Sequence, residues 1–255
     1  MNVAGKKALV IGGTSGIGLA TSKQLAALGA TVVAVSRSPD RAGDVPKGIT
    51  LKSCDVLDRK GLGALFEAHA PFDILVGAAT GGTRARGTLL DMDIEGYKAS
   101  FAKLWGYANI LQLGVPHMSA DGTIVFVSGS PARKSKPGQV AIASVGGAVE
   151  ALVRAVAPEI VPRRLNVVAP GTIDTPMSSL KGAEREESYR KQTAKNLIPR
   201  AGTAEEVAQG ILFGREVDVH GRPLSGFSLA DGARGRVGRR PFRVATRAET
   251  CSNFR

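Results

Sequence analysis

The run Gly12-Gly-Thr-Ser-Gly16-Ile-Gly18 is the stretch of this chain whose residue types and spacing point most directly to chemistry. It follows the apolar segment Ala8-Leu-Val-Ile11 and opens a helical pattern. In a strand–turn–helix setting, glycines allow a tight turn, let a pyrophosphate approach the backbone, and let the helix pack close to the strand. The spacing Gly-x-x-x-Gly-x-Gly in that context makes Gly12, Thr14, Ser15, Gly16, Ile17 and Gly18 candidates for holding a dinucleotide. The next apolar run ends in Ser36-Arg37. A carboxylate there would accept hydrogen bonds from the adenosine ribose and favour NAD(H). A hydroxyl followed by a guanidinium suits a 2′-phosphate instead, so NADP(H) is the expected cofactor. His69, His117 and His220 form no cluster, and Cys54 and Cys251 match no metal or disulfide spacing. No metal site is expected, and a reducing cytoplasm is the default setting.

The elements that must position these residues alternate along the chain. Apolar runs at 8–11, 30–35, 49–54, 73–78, 123–127 and 165–169 read as strands. Helical patterns are expected at 16–28, 62–68, 97–113, 140–157 and 204–213, and Ser225–Leu229 is expected to close the sheet. Short buried strands separated by helices imply right-handed crossovers and a parallel sheet covered on both faces. The expectation is one doubly wound α/β domain of the Rossmann type over residues 1–233. Thr172 to Arg200 is polar and reads as an irregular segment past a strand's carboxyl end, where ligand lids are common.

A chain of 255 residues can bury one large core, and 43% hydrophobic content suits a globule. No run approaches the ~18 apolar residues of a membrane span. Met1 to Lys7 leads into a strand without a signal peptide. The net charge of +12 is lopsided, because Arg234 to Arg255 carries seven arginines against Glu249. Such a block could attract polyanions, but only Phe242 and Phe254 accompany it and no binding module is recognisable. A solvated or partner-packed basic extension over 234–255 is expected, without nucleic acid or membrane as partner.

Beyond the glycine turn, several segments resemble the short-chain dehydrogenase/reductase family. Ser128-Gly-Ser-Pro-Ala and the helix from Pro137 to Leu152 resemble its active-site segment, Cys54-Asp55-Val56 its Asp-Val, and Pro170-Gly-Thr-Ile-Asp-Thr-Pro176 the stretch that approaches the nicotinamide amide. Together these matches run from residue 5 to about 233. The resemblance implies that Asp55 and Val56 contact adenine, that Ala78 and Ala79 line the cofactor, and that Pro170, Gly171 and Ile173 lie near the nicotinamide. It also implies a small-molecule substrate and assembly as a homodimer or homotetramer.

The same comparison exposes departures. The family's Tyr-x-x-x-Lys pair falls on Ile142 and Gly146, its serine on Gly129 between Ser128 and Ser130, its helix asparagine on Lys103, and its Asn-Asn-Ala-Gly on Gly77-Ala78-Ala79-Thr80. Ile142 can do no acid–base chemistry and Gly146 carries no charge. Lys103 is the candidate proton donor, since an ammonium on that helix would polarise a carbonyl if burial lowers its pKa. Ser128 and Ser130 are candidates to hydrogen-bond a substrate oxygen, although serines just past a strand often satisfy turn backbone. Tyr107, one turn after Lys103, is expected to pack in the core. The expected function is an NADP(H)-dependent oxidoreductase with a non-standard active site. The alternatives are an inactive NADP(H)-binding sensor or subunit, and a non-redox lyase or cyclase.

Overall fold

A computed structural model describes residues 3–216. In chain order the elements are β1 (Lys7–Ile11), α1 (Gly16–Ala27), β2 (Thr31–Ser36), β3 (Ile49–Ser53), α2 (Arg59–Ala68), β4 (Phe72–Gly77), α3 (Ile94–Ser100), α4 (Ala102–Gly114), β5 (Met118–Val127), α5 (Val140–Val156), β6 (Arg164–Val168), β7 (Ile173–Asp174), α6 (Gly182–Thr193), β8 (Gly202–Thr203) and α7 (Ala204–Glu216). Six strands pair in parallel in the order β3-β2-β1-β4-β5-β6. The winding reverses between β1 and β4, which opens a crevice at their carboxyl ends where α/β sheets bind ligands. This is the doubly wound fold that the alternating apolar runs imply.

Both faces of the sheet are buried, which is why its strands read as unbroken apolar runs. Side chains alternate along each strand. Leu9, Ile11, Val33 and Val35 join Leu62 and Phe66 of α2, Ile110 of α4 and Val149 of α5. Ala8, Val10, Val32 and Val76 join Leu25 of α1 and Val207 and Ile211 of α7 on the other face. Asn166 of β6 donates to Gly214 O at 2.8 Å and ties α7 to the sheet edge.

The single helix expected at 97–113 is two, α3 and α4, meeting at Phe101. Ser100 Oγ donates to Gly96 O at 2.9 Å while accepting from Ala85 N–H at 2.9 Å. A hydroxyl bonded back to its own helix competes with the backbone ladder and bends it there. The segment expected to be irregular contains α6, whose sequence Gly-Ala-Glu-Arg-Glu-Glu-Ser-Tyr-Arg-Lys-Gln-Thr has almost no apolar stripe to betray it. Ion pairs one turn apart support it, Arg190 with Glu187 at 2.6 Å and Lys191 with Glu187 at 3.3 Å.

One stretch, Val140–Ile160, is long and apolar enough to span a membrane by composition, with a mean hydropathy of 1.7, against the expectation that none is. Its first 17 residues form α5, which instead lays Ala141, Val145, Val149 and Val153 against the sheet. The closing strand at 225–229 and the arginine-rich extension lie outside the described residues.

Tyr107 locks α4 onto the strands. Its hydroxyl lies 2.6 Å from Gly77 O at the end of β4 and 3.0 Å from Val127 O at the end of β5. It is 1% exposed, and burial pushes its phenol well above the usual range. It therefore packs in the core as expected and carries no acid–base chemistry. Tyr107→Phe removes the one buried donor that faces these two carbonyls and is expected to lower stability by about 1–3 kcal/mol, read as a shift of the urea midpoint at unchanged slope.

Candidate active site

The crevice has two ends, and the glycine turn forms the first. Gly12 has φ +86°, and a Cβ added there would meet Ala79 N at 2.5 Å; one added at Gly18 would meet Gly12 O at 1.9 Å. The turn, α1 and the end of β4 are thus packed as closely as backbone allows. Ser15, which precedes α1, makes no side-chain bond to the helix. The first-turn N–H groups from Gly16 through Gly18 accordingly have no capping side chain, as anion sites at helix N-termini require. A pyrophosphate fits this cradle because its N–H groups carry no side-chain cap, and Thr175 and Pro176 border it at Gly16.

Thr14 is buried and its Oγ1 donates to Ser36 Oγ at 2.7 Å, while Ser38 N–H donates to the same oxygen at 3.2 Å. Ser36 therefore keeps its own proton free to donate toward a ligand. Arg37 beside it is exposed. Asp55 Oδ1 accepts from Leu57 N–H at 2.9 Å, and Val56 is buried with its carbonyl held by Asn109 Nδ2 at 3.1 Å. Ala78 N–H donates to Ile11 O at 2.8 Å, placing Ala78 and Ala79 beside Gly12. Pro170 O accepts from Ser130 N–H at 2.9 Å, and Gly171 leads into Ile173, which pairs with Gly202 across β7 and β8. The cofactor residues read from the sequence thus line one rim of the sheet.

The second end is a narrow cleft between the loop after β4, α4, α5 and the loop after β5. Arg84, Ser100, Lys103, Ser128, Ile142 and Gly146 are among its lining residues, and its water-accessible space is ≈ 20 Å³. Lys103 is 7% exposed and burial, reinforced by Arg84, brings its pKa down to about 7. Its Nζ lies 5.4 Å from the centre of the Tyr107 ring. Among the described residues it has no carboxylate partner. A lysine of that pKa exchanges protons at neutral pH, which a solvated lysine does not.

Ser128 is also in the cleft, with its Oγ 3.1 Å from Gly146 O and 3.4 Å from Glu150 Oε1. Ser130 is not among the lining residues. Its N–H goes to Pro170 O and its carbonyl accepts from Arg133 and Lys134 N–H, so its backbone shapes the turn beside the cleft. A Cβ at Gly146 would meet Ala132 Cβ at 3.0 Å and Ser128 Oγ at 3.2 Å, so the glycine is there for close packing of α5 on this loop.

Sequence reasoning missed two groups. Arg84 lines the cleft, and its Nη1 meets Met177 Sδ at 3.3 Å. It sits in a motif-free loop, and its only signal was a basic residue just past a strand's carboxyl end. Glu150 is 6% exposed and pairs with Arg133 at 3.0 Å. A lone acid in an otherwise apolar helix was the available signal.

The family described as enoyl-(acyl carrier protein) reductase matches residues 12–213. The chain belongs to the short-chain dehydrogenase/reductase family. A 3-oxoacyl-(acyl-carrier-protein) reductase of Thermotoga maritima is 34% identical over 231 residues, covering 84% of this chain and 91% of the relative. A short-chain dehydrogenase from Burkholderia cenocepacia, solved in complex with NADP, is 28% identical with a TM-score of 0.76, over 91% of this chain and 99% of that one. The reductase/Diels-Alderase MalC of Malbranchea aurantiaca is 25% identical with a TM-score of 0.78, over 90% and 95%.

The buried lysine makes stability depend on pH. Unfolded, the group titrates near its ordinary 10.5; folded, at about 7, so the unfolded chain binds more protons between those values. The destabilisation is full below pH 7 and fades as pH rises toward 10.5. Lys103→Met is expected to stabilise the protein, with a gain in urea midpoint larger at pH 6 than at pH 9.

Proposed function

We propose that the protein is an NADP(H)-dependent oxidoreductase that interconverts a carbonyl and an alcohol, with Lys103 supplying the proton that the family draws from tyrosine. The observation that carries this reading is the buried amine of Lys103 in the cleft, with a pKa of about 7 and no carboxylate beside it.

The backbone from Gly12 through Gly18 would hold the pyrophosphate, with Thr14 and Ser15 at its edge. Ser36 and Arg37 would take the 2′-phosphate, through a hydroxyl and a guanidinium that form charge-assisted bonds. Asp55 and Val56 would border the adenine, Ala78 and Ala79 the adjoining ribose, and Pro170, Gly171 and Ile173 the nicotinamide amide. When bound, the dinucleotide supplies or takes up hydride. The chain's own residues bind the substrate oxygen and manage its proton. Lys103 as the ammonium donates a hydrogen bond to the carbonyl oxygen through Nζ. As that oxygen gains negative charge it takes the Nζ proton, leaving a neutral amine that solvent recharges. Ser128 lines the cleft with its hydroxyl proton directed to Gly146 O, and would offer a second hydrogen bond by turning from that carbonyl to the substrate oxygen. A positioned general acid contributes about 10²–10⁴-fold. Holding the reactants together contributes several kcal/mol more, roughly, when the approach is right.

Ile142 and Gly146 favour a second reading, in which the cofactor binds but the cleft performs no redox step or a non-redox one. The solved MalC, a reductase/Diels-Alderase, is a similar protein whose name joins both kinds of chemistry. The uncovered face of α5, with Ala151 and Ala155 exposed, is consistent with the homodimer or homotetramer expected from the resemblance.

The deciding experiment is NADPH titration by energy transfer from Trp105, followed by NADPH consumption across a panel of ketones and aldehydes. Turnover is expected to fall as pH rises through about 7, because the donor form of Lys103 is lost there. Lys103→Met is expected to lower kcat/KM by about 10²-fold or more and to remove that inflection, with NADPH affinity unchanged. Unchanged turnover in this variant would eliminate Lys103 as the donor, and binding without consumption would support the second reading. Arg37→Glu is expected to weaken NADPH relative to NADH by about tenfold or more in dissociation constants.

A further inference from the structure

The cleft gathers positive charge and supplies nothing to balance it. Arg84 and Lys103 both line it, and no Asp or Glu does. The nearest acid on α5, Glu150, is already engaged by Arg133 at 3.0 Å and by the Ser128 hydroxyl. Arg84 presents five N–H donors, and among the described residues its one contact is the Met177 thioether. Exposed Arg86 adds a further like charge. Lys103 is buried and Arg84 half-buried, and a charge withdrawn from water without a partner is costly unless a ligand completes the pairing.

The two cations are also held in place. Gly81 has φ +77°, and a Cβ there would lie 2.6 Å from Ala102 C and 2.7 Å from Lys103 N, so the loop sits directly on the start of α4. On the far side of Arg84, Ala85 N–H is tied to Ser100 Oγ at 2.9 Å. The guanidinium is thus carried on a short span fastened at both ends to the helices beside Lys103. Such fixing lowers the ordering penalty of binding.

We propose that Arg84 is the anchor for a carboxylate, so that the carbonyl substrate of this cleft is an oxo acid. The planar fork of arginine matches a carboxylate's two oxygens, and a narrow cleft suits so compact a group. Arg84 takes the carboxylate and leaves Lys103 for the carbonyl oxygen. Met177, 54% exposed and flexible, lies over Arg84 and is the side chain a ligand would displace. This inference rests on the carbonyl reading above, although the anion site itself does not need turnover.

The test uses the full chain saturated with NADP⁺, which cannot reduce a ketone, titrated calorimetrically with short oxo acids and with their methyl esters. The acids are expected to bind about tenfold or more tighter than the esters, and Arg84→Gln to erase the difference. Arg84→Lys, which keeps the charge without the fork, should retain part of it. Equal binding of acid and ester by the native chain overturns the proposal. So does binding seen only without NADP⁺, because the cations would then serve the cofactor's phosphates. NADPH consumption separates the two readings. Oxo acids that bind through Arg84 without being reduced leave the anion site standing and remove the reductase. Neutral ketones reduced as well as acids do the reverse.

Discussion

The Tyr107 hydroxyl fixes where everything else in the cleft can be. By lying within hydrogen-bond distance of the last carbonyls of both β4 and β5, it pins α4 across the carboxyl ends of these neighbouring strands, on the β4 side of the crevice. Lys103 lies one turn earlier on the same helix, so its height above the sheet follows from that contact. The ring that carries the hydroxyl also forms the floor under the ammonium, 5.4 Å away. An aromatic face offers a cation modest attraction without the full neutralisation a carboxylate would bring. The lysine is therefore held, dry and only partly compensated, which is the combination that draws its pKa toward neutrality.

That arrangement places a titratable group in the cleft of a scaffold whose positions matching the resemblance's Tyr-x-x-x-Lys are Ile142 and Gly146. At the α5 side, Gly146 lets the helix close onto Ala132 and Ser128, and Ile142 presents an apolar wall. The titratable group faces the cleft from α4 instead. Fold and cofactor cradle depend on backbone geometry near Gly12 and Gly18, which these substitutions do not touch. The acid–base group depends only on which side chains project into the cleft. The two can change independently, as fold and function commonly do.

The parts of the structure legible in the sequence were those written in periodic or glycine signals. The apolar strand runs gave the sheet, and the turn at Gly12–Gly18 gave the cradle, because both are local. Lys103 was legible only through its register with a family motif, and its burial was not, since the cleft is closed over it by Arg84 and α5 from distant parts of the chain. The α3–α4 break was hidden because it arises from one Ser100 hydroxyl bonding both its own helix and Ala85 in a distant loop. The polar helix α6 was missed because charge pairs rather than an apolar stripe hold it. Arg84 was invisible because nothing local marks a loop arginine as lining a cleft.

Arg84 and Lys103 also act on each other, and this links recognition to proton supply. Each raises the electrostatic penalty of the other's charge, so Lys103 sheds its proton more readily while the cleft is without an anion. A carboxylate seated on Arg84 removes that repulsion and favours the ammonium. Lys103 is then charged most fully when an anion is present, which is the state its proposed role as proton donor requires. A neutral ketone of the same shape would gain neither the anchor nor the loaded donor. The discrimination thus operates twice on one charge, and the coupling runs both ways, because protonation of Lys103 must strengthen the carboxylate's hold by the same factor.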